Sequence, residues 1–235
     1  MKLTESHIQR LYKFTREHFV YHYDVQTELV DHLANDIEQI WEENPTLSFE
    51  KARDTSFKKF GIFGFMDVIE AKQKQMNKRY SKILWRFFRE WFSFPKVVTT
   101  VSIFITLFLV LKIQYSEFIL LGALLILVSF DLIKQTKTKK QHKNKAQKQE
   151  KIFLLESMIG DTRQGFSGFA FINVFNCINL VKVPFSSLET HWLLLISLSI
   201  TLLIILFYVT GYLIPEKAQE LLEETYPEYK LVNNL

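Results

Sequence analysis

Four side chains near the N-terminus have the types and spacing of a metal site. His18 and His22 stand four residues apart, as do Glu28 and His32. Such i,i+4 spacing can set two ligands on one helical face, as in many zinc sites. The complete H-E-x-x-H pattern is absent, and a turn expected near 22–24 separates the two pairs. We therefore expect no metal and no cofactor. His32 is expected either to pack at the edge of the core, bonded to a carboxylate or carbonyl, or to shape a partner-binding face. Asn173, Asn176 and Asn179 form a second polar set, spaced so that neighbours share a face of an otherwise apolar helix. An amide without a partner in hydrocarbon is costly, so these side chains are expected to face the bundle. Gly165, Ser167 and Gly168 would let another helix approach there. The asparagines then serve either as interhelical glue, worth about 0.6–2 kcal/mol per contact, or as the lining of a polar path. Asp131, Glu156 and Asp161 could act on lipid only if they converged at an interface. Asp131 is instead expected to pair with Lys134 or cap the bundle. No GxSxG, Walker or Rossmann pattern occurs, so no catalytic residue is expected and the chain is read as a non-enzyme.

The elements that must position these residues follow from composition. The 22 phenylalanines stand against 7 glycines and 5 prolines, which favours long helices over turn-rich strands. Four apolar stretches, at 97–113, 118–133, 166–181 and 192–214, follow a charged N-terminal part. Each nears the roughly 20 residues that cross a bilayer, and the asparagine-bearing third either crosses or re-enters. Cys177 is the single cysteine, which excludes an intramolecular disulfide and a clustered-cysteine zinc site. The segment MKLTESHIQRLYKFTREHF lacks the apolar region of a cleavable signal peptide. Lysine and arginine crowd two places: before the first stretch, and in the run KQTKTKKQHKNKAQKQEK after the second. The positive-inside rule then puts the N-terminus, a lysine-rich loop at 134–151 and the tail at 215–235 in the cytoplasm. Beside membrane spans, that run is read as a topology and anionic-lipid determinant, with no nucleic-acid partner.

The first 95 residues parse as helices. Thr4 caps a helix from Glu5 to about Phe19, and Asp24 caps the next. In that second helix Val25, Leu29, Leu33, Ile37, Ile40 and Trp41 form an apolar stripe of helical period, which Asn44 and Pro45 end. Ser48 caps a short helix bearing Phe49, Ala52, Phe57 and Phe60, stopped by Gly61. A basic amphipathic segment from about 65 to 91 is expected either to lie on the membrane surface or to run straight into the first span. Lys78, Arg79, Lys82 and Arg86 would then stand at headgroup level.

Glu28-Leu29-x-x-His32-Leu33, then Ser48-Phe49-Glu50-Lys51-Ala52 and Phe60-Gly61, resemble the HAAS domain. This small cytoplasmic helical module stands at the N-terminus of bacterial multi-pass membrane proteins, often encoded beside PadR-type regulators. The likeness covers roughly residues 20–70. It departs at Asn44-Pro45-Thr46-Leu47, where a glycine-containing turn is usual, and at Ile62-Phe63-Gly64-Phe65, where an acidic continuation is. The resemblance implies a signalling or docking role without catalysis. Glu28, Leu29, His32 and Leu33 become the partner-docking candidates. The expectation is an all-α chain: a helical domain over 1–70, a basic linker helix over 71–96, and a four-span membrane domain over 97–214. It would sit in a bacterial inner membrane, touch anionic lipid and dock a cytosolic protein; whether it forms a homodimer is left open. A small transporter or permease component, its path lined by the third span, is the alternative.

Overall fold

The computed structural model describes residues 2–147, 151–180, 182 and 184–230, without the side chains at 134, 135, 137–147, 174, 175 and 177–180. It is helical, with no strand among the described residues. Two compact units divide it: Met1–Tyr80 with Lys151–Ser157, and Ser81–Glu150 with Met158–Leu235.

In the first unit, α1 (Glu5–Glu17) and α3 (Phe49–Lys58) pack on α2 (Tyr23–Glu43). Thr4 and Ser48 cap as expected, their hydroxyls accepting from the His7 and Lys51 N–H groups. Leu11, Leu29, Leu33, Ile37 and Ala52 are wholly buried between the three helices. The Trp41 indole donates to the Leu47 carbonyl at 2.9 Å, pinning the loop that Pro45 opens. Asp24 departs from expectation. The residue before α2 is His22, which makes no side-chain cap, and the Asp24 carboxylate is committed elsewhere.

Asp36 on α2 takes the Lys59 ammonium at 2.5 Å. Partial burial raises its pKa, but the hydrogen bonds from Lys59 and Ser56 outweigh that and hold it below its ordinary value of 3.8. A carboxyl lowered in the folded state adds stability above its unfolded pKa and loses it as pH falls through the folded one. Asp36→Asn should therefore flatten the loss of stability below pH 3.8. At neutral pH it should cost no more than about 1 kcal/mol, as for other partly exposed pairs. Acid titration of the unfolding midpoint checks both arms.

Helix α4 (Met66–Trp91) begins in the first unit and ends in the second, and meets α5 (Lys96–Leu111) at 79°. In the second unit α5 packs along α8 (Thr190–Tyr208). Leu111, Leu193 and Phe185 of a short 3-10 turn form a small core with Phe108 and Leu120. Helix α6 (Ser116–Gln147) carries the second apolar stretch and does not stop there. The lysine run expected as a loop prolongs it to Gln147, through lysine, glutamine and alanine without a glycine or proline. Positions 148–150 lie outside the described residues.

Among the described residues two helices, Ser116–Ile133 and Thr190–Glu216, are long and apolar enough to cross a membrane; the bent pair of α4 and α5 makes three if counted as one span. The stretch at 97–113 forms the 16-residue α5, about 24 Å at the helical rise and short of 30 Å of hydrocarbon. The stretch at 166–181, apart from position 181 outside the described residues, forms the later part of α7 (Leu154–Leu180), which is not among the span-competent helices. The last apolar helix changes from α to π winding over Val209–Leu213, just before α9 (Ile214–Glu216). Pro215 explains the place: it has no N–H for the Gly211 carbonyl, and its ring crowds that oxygen. Helix α10 (Ala218–Thr225) follows.

Candidate functional site

Two helices begin at one place in the first unit and cap one another. A helix leaves its first N–H groups without internal partners. The Tyr23 N–H, opening α2, donates to the Ile152 carbonyl at 2.8 Å. The Leu154 N–H, opening α7, donates to the Asp24 carboxylate at 3.0 Å. One carboxylate thus lies at two helix N-termini, where both dipoles favour negative charge. His22 Nε2 lies 3.2 Å from the Ser157 hydroxyl, and the rings of Tyr23 and Phe153 meet edge-on at 5.5 Å. The Lys151 ammonium sits over the Tyr23 ring at 4.7 Å. Phe153, Leu154 and Leu155 are buried, the first and third completely. The segment Lys151–Ser157 is therefore part of the helical unit's core, although more than 100 residues of chain separate it from α2. Its sequence signal is the apolar burst Ile152-Phe153-Leu154-Leu155, standing outside every expected span.

The second unit holds a buried polar cluster. Asp131 of α6, and Arg163 and Ser167 of α7, are all less than a tenth exposed. The Ser167 hydroxyl donates to Asp131 Oδ2 and also approaches the Arg163 carbonyl at 3.1 Å. Both charges lie within electrostatic reach of Tyr212, carried on the π turn. π turns inside α-helices are frequent at functional sites. Asp131 thus faces Ser167; the side chain of Lys134, its expected partner, lies outside the described residues.

The expected docking quartet divides by burial. Leu29 and Leu33 are wholly buried in the three-helix core and cannot meet a partner directly. His32 is exposed, and Glu28 is half-buried with the Lys72 ammonium at 2.5 Å. The histidine pairs do not converge: the His18 ring packs on Phe57, with Nδ1 2.8 Å from the Phe14 carbonyl, whereas His22 faces Ser157. Among the described residues no three histidine, cysteine or acidic side chains gather as a metal site.

The asparagines turn to their own helix. Asn173 donates to the Phe169 carbonyl at 2.8 Å and Asn176 to Asn173 at 3.4 Å, and Asn176 is exposed. The Asn179 side chain lies outside the described residues. These bonds keep the Asn173 and Asn176 amides within α7, whereas Ser167 reaches from α7 to α6. Asp161 is exposed and Glu156 belongs to the other unit, so the three carboxylates imagined for lipid chemistry form no shared site within one unit.

Along α4, Tyr80, Ile83 and Phe87 are buried on one face while Lys78, Arg79 and Lys82 are exposed. Arg86 differs. Its guanidinium grips both Glu224 oxygens at 3.2 Å and lies over the Phe87 ring. The Glu224 hydrogen bond raises its pKa above the ordinary arginine value. Arg86 therefore ties α10 to α4, which removes it from the set of free membrane-surface cations. Comparison with protein-family models, curated proteins and solved structures finds no match for this chain.

Proposed function

We propose that this chain is a multi-pass membrane protein of regulatory type, whose helical unit docks a cytosolic protein partner at a bacterial inner membrane. The observation that supports this most is the reciprocal capping of α2 and α7. The residues that open α7 are core residues of the helical unit, so a shift of that helix must carry the unit along or open the joint. That is the coupling a signal-transmitting protein needs. Span-competent α6 and the helix running from α8 to α9 supply two crossings. Lys78, Arg79 and Lys82 favour anionic headgroups beside them. Exposed Asp31, His32 and Asn35 line the outer face of α2 over buried Leu29 and Leu33, on the stretch that carries the HAAS resemblance.

Crosslinking the full chain in native membranes, followed by affinity capture, tests the reading. A specific partner should be captured by the wild type, lost with His32→Ala plus Asn35→Ala, and altered in yield by Phe153→Ala. Capture unchanged by all of these would defeat it. The buried Asp131–Ser167 contact of α6 and α7 favours a transporter as the second reading. That reading expects substrate-dependent flux in liposomes, lost with Asp131→Asn, and no partner.

A further inference from the structure

We propose that the end of the helical unit formed by the α1–α2 and α3–α4 turns inserts into the surface of membranes bearing anionic headgroups. The inference rests on the membrane residence proposed above. Five large apolar side chains stand out on these turns: Phe19 and Tyr21 on the first, and Ile62, Phe63 and Met66 on the second, each more than half exposed and Ile62 99 % exposed. The turns share one floor. The His18 ring lies 4.6 Å from Phe57 and 5.9 Å from Phe65, and Phe65 packs 4.8 Å from Phe57 and 4.9 Å from Phe60. The five side chains therefore belong to one patch, not to scattered surface positions.

The backbone holds them out. Phe19 takes φ +65°, a left-handed conformation in which a bulky residue is strained. The N–H groups of Phe19 and Val20 fix it there, donating to the Arg16 and Thr15 carbonyls at 3.1 Å. A glycine would close α1 at no strain, yet a phenylalanine occupies the position with its ring in solvent. On the second turn Gly61 and Gly64 take φ +78° and +54°. A Cβ at Gly64 would lie 2.9 Å from the Phe57 ring. Ile62 and Phe63 are thus presented between two positions that demand glycine.

Charge selects the occupant. Arg16 and Lys58, both exposed, flank the two turns, while Lys59 beside them is already paired with Asp36. Of the nearby acids, Glu17 faces Lys13, Asp36 holds Lys59, and Asp67 stands exposed after the second turn. Aromatic and aliphatic tips with cations at their base match the boundary between acyl chains and anionic headgroups. Covalent attachment to span-competent helices keeps the patch at high effective concentration near a bilayer, so even weak insertion is populated.

The test uses the full chain with Cys177→Ser and Phe63→Cys, a polarity-sensitive fluorophore on the new thiol, in phosphatidylcholine vesicles with and without phosphatidylglycerol. Blue-shifted emission, quenched by acyl-brominated lipid and more so with phosphatidylglycerol, is expected. Adding Phe19→Ser and Ile62→Ser should cut that quenching several-fold. A label that stays in water in both vesicles overturns the proposal. So does shielding that persists in detergent and grows with protein concentration, which would mark a second copy, or shielding that needs an added soluble protein. Alkaline washing separates the two failures. A chain washed from the vesicles fails as a membrane protein, whereas one retained with its label in water fails only as to this patch.

Discussion

Replacing Phe153 with alanine is expected to destabilise the helical unit by about 3–5 kcal/mol, the usual cost of truncating a buried phenylalanine. The side chain is completely buried against Tyr23, between a Leu154 amide held by Asp24 and an Ile152 carbonyl holding the Tyr23 amide. Its loss should also loosen both caps, since the backbone on either side is positioned by that ring. Hydrogen exchange on the full chain reads this directly. The first-turn amides of α2 should lose protection together with those of α7, while α3 keeps more of its own. Lys151→Ala serves as control, because that residue is exposed and its contact with the Tyr23 ring is worth only about 0.5–1 kcal/mol. If Phe153→Ala matched the control within about 1 kcal/mol, a surface-sized effect, the segment would lie on the unit without holding it. The coupling proposed for signalling would then have no joint to act through.

That joint marks where the sequence stops being readable. Helix periodicity, the Thr4 and Ser48 caps and the stop at Pro45 are local, and the structure reproduces them. Asp24 looked like a local cap for the same reason, a short polar residue ahead of an apolar stripe. Its carboxylate instead serves an amide 130 positions away, a contact no window along the chain contains. The stripe through Leu29 and Leu33 was visible, but a stripe does not say whether its face meets a partner or the chain's own helices; α1 and α3 cover it. The lysine run is a connector by its place between two apolar stretches, and the absence of glycine and proline lets α6 continue into it as far as Gln147. Arg86 looked equivalent to Lys78 and Lys82 because Glu224 is remote in sequence.

The buried cluster of the second unit gives the other large expected effect. Asp131→Leu should destabilise that unit by about 1–3 kcal/mol, the cost of leaving a buried polar group without its hydrogen-bond partner. It takes away the acceptor for the Ser167 hydroxyl and the negative charge near Arg163, which is itself only 8 % exposed. Asp131→Asn should cost less, because an amide oxygen still accepts from Ser167 although the charge is gone. The decisive variant is the double one, Asp131→Leu with Arg163→Leu. Apolar residues replacing both charges leave neither buried alone, so the double variant should recover much of the loss. Thermal unfolding of the wild type, Asp131→Leu, Arg163→Leu and the double variant in one detergent, treated as a double-mutant cycle, measures the coupling. Coupling well above about 0.5 kcal/mol would mean that Asp131 and Arg163 act together in holding α6 to α7. Additive losses would mean that each charge answers to different neighbours, leaving the Ser167 hydroxyl as the polar link from α6 to α7.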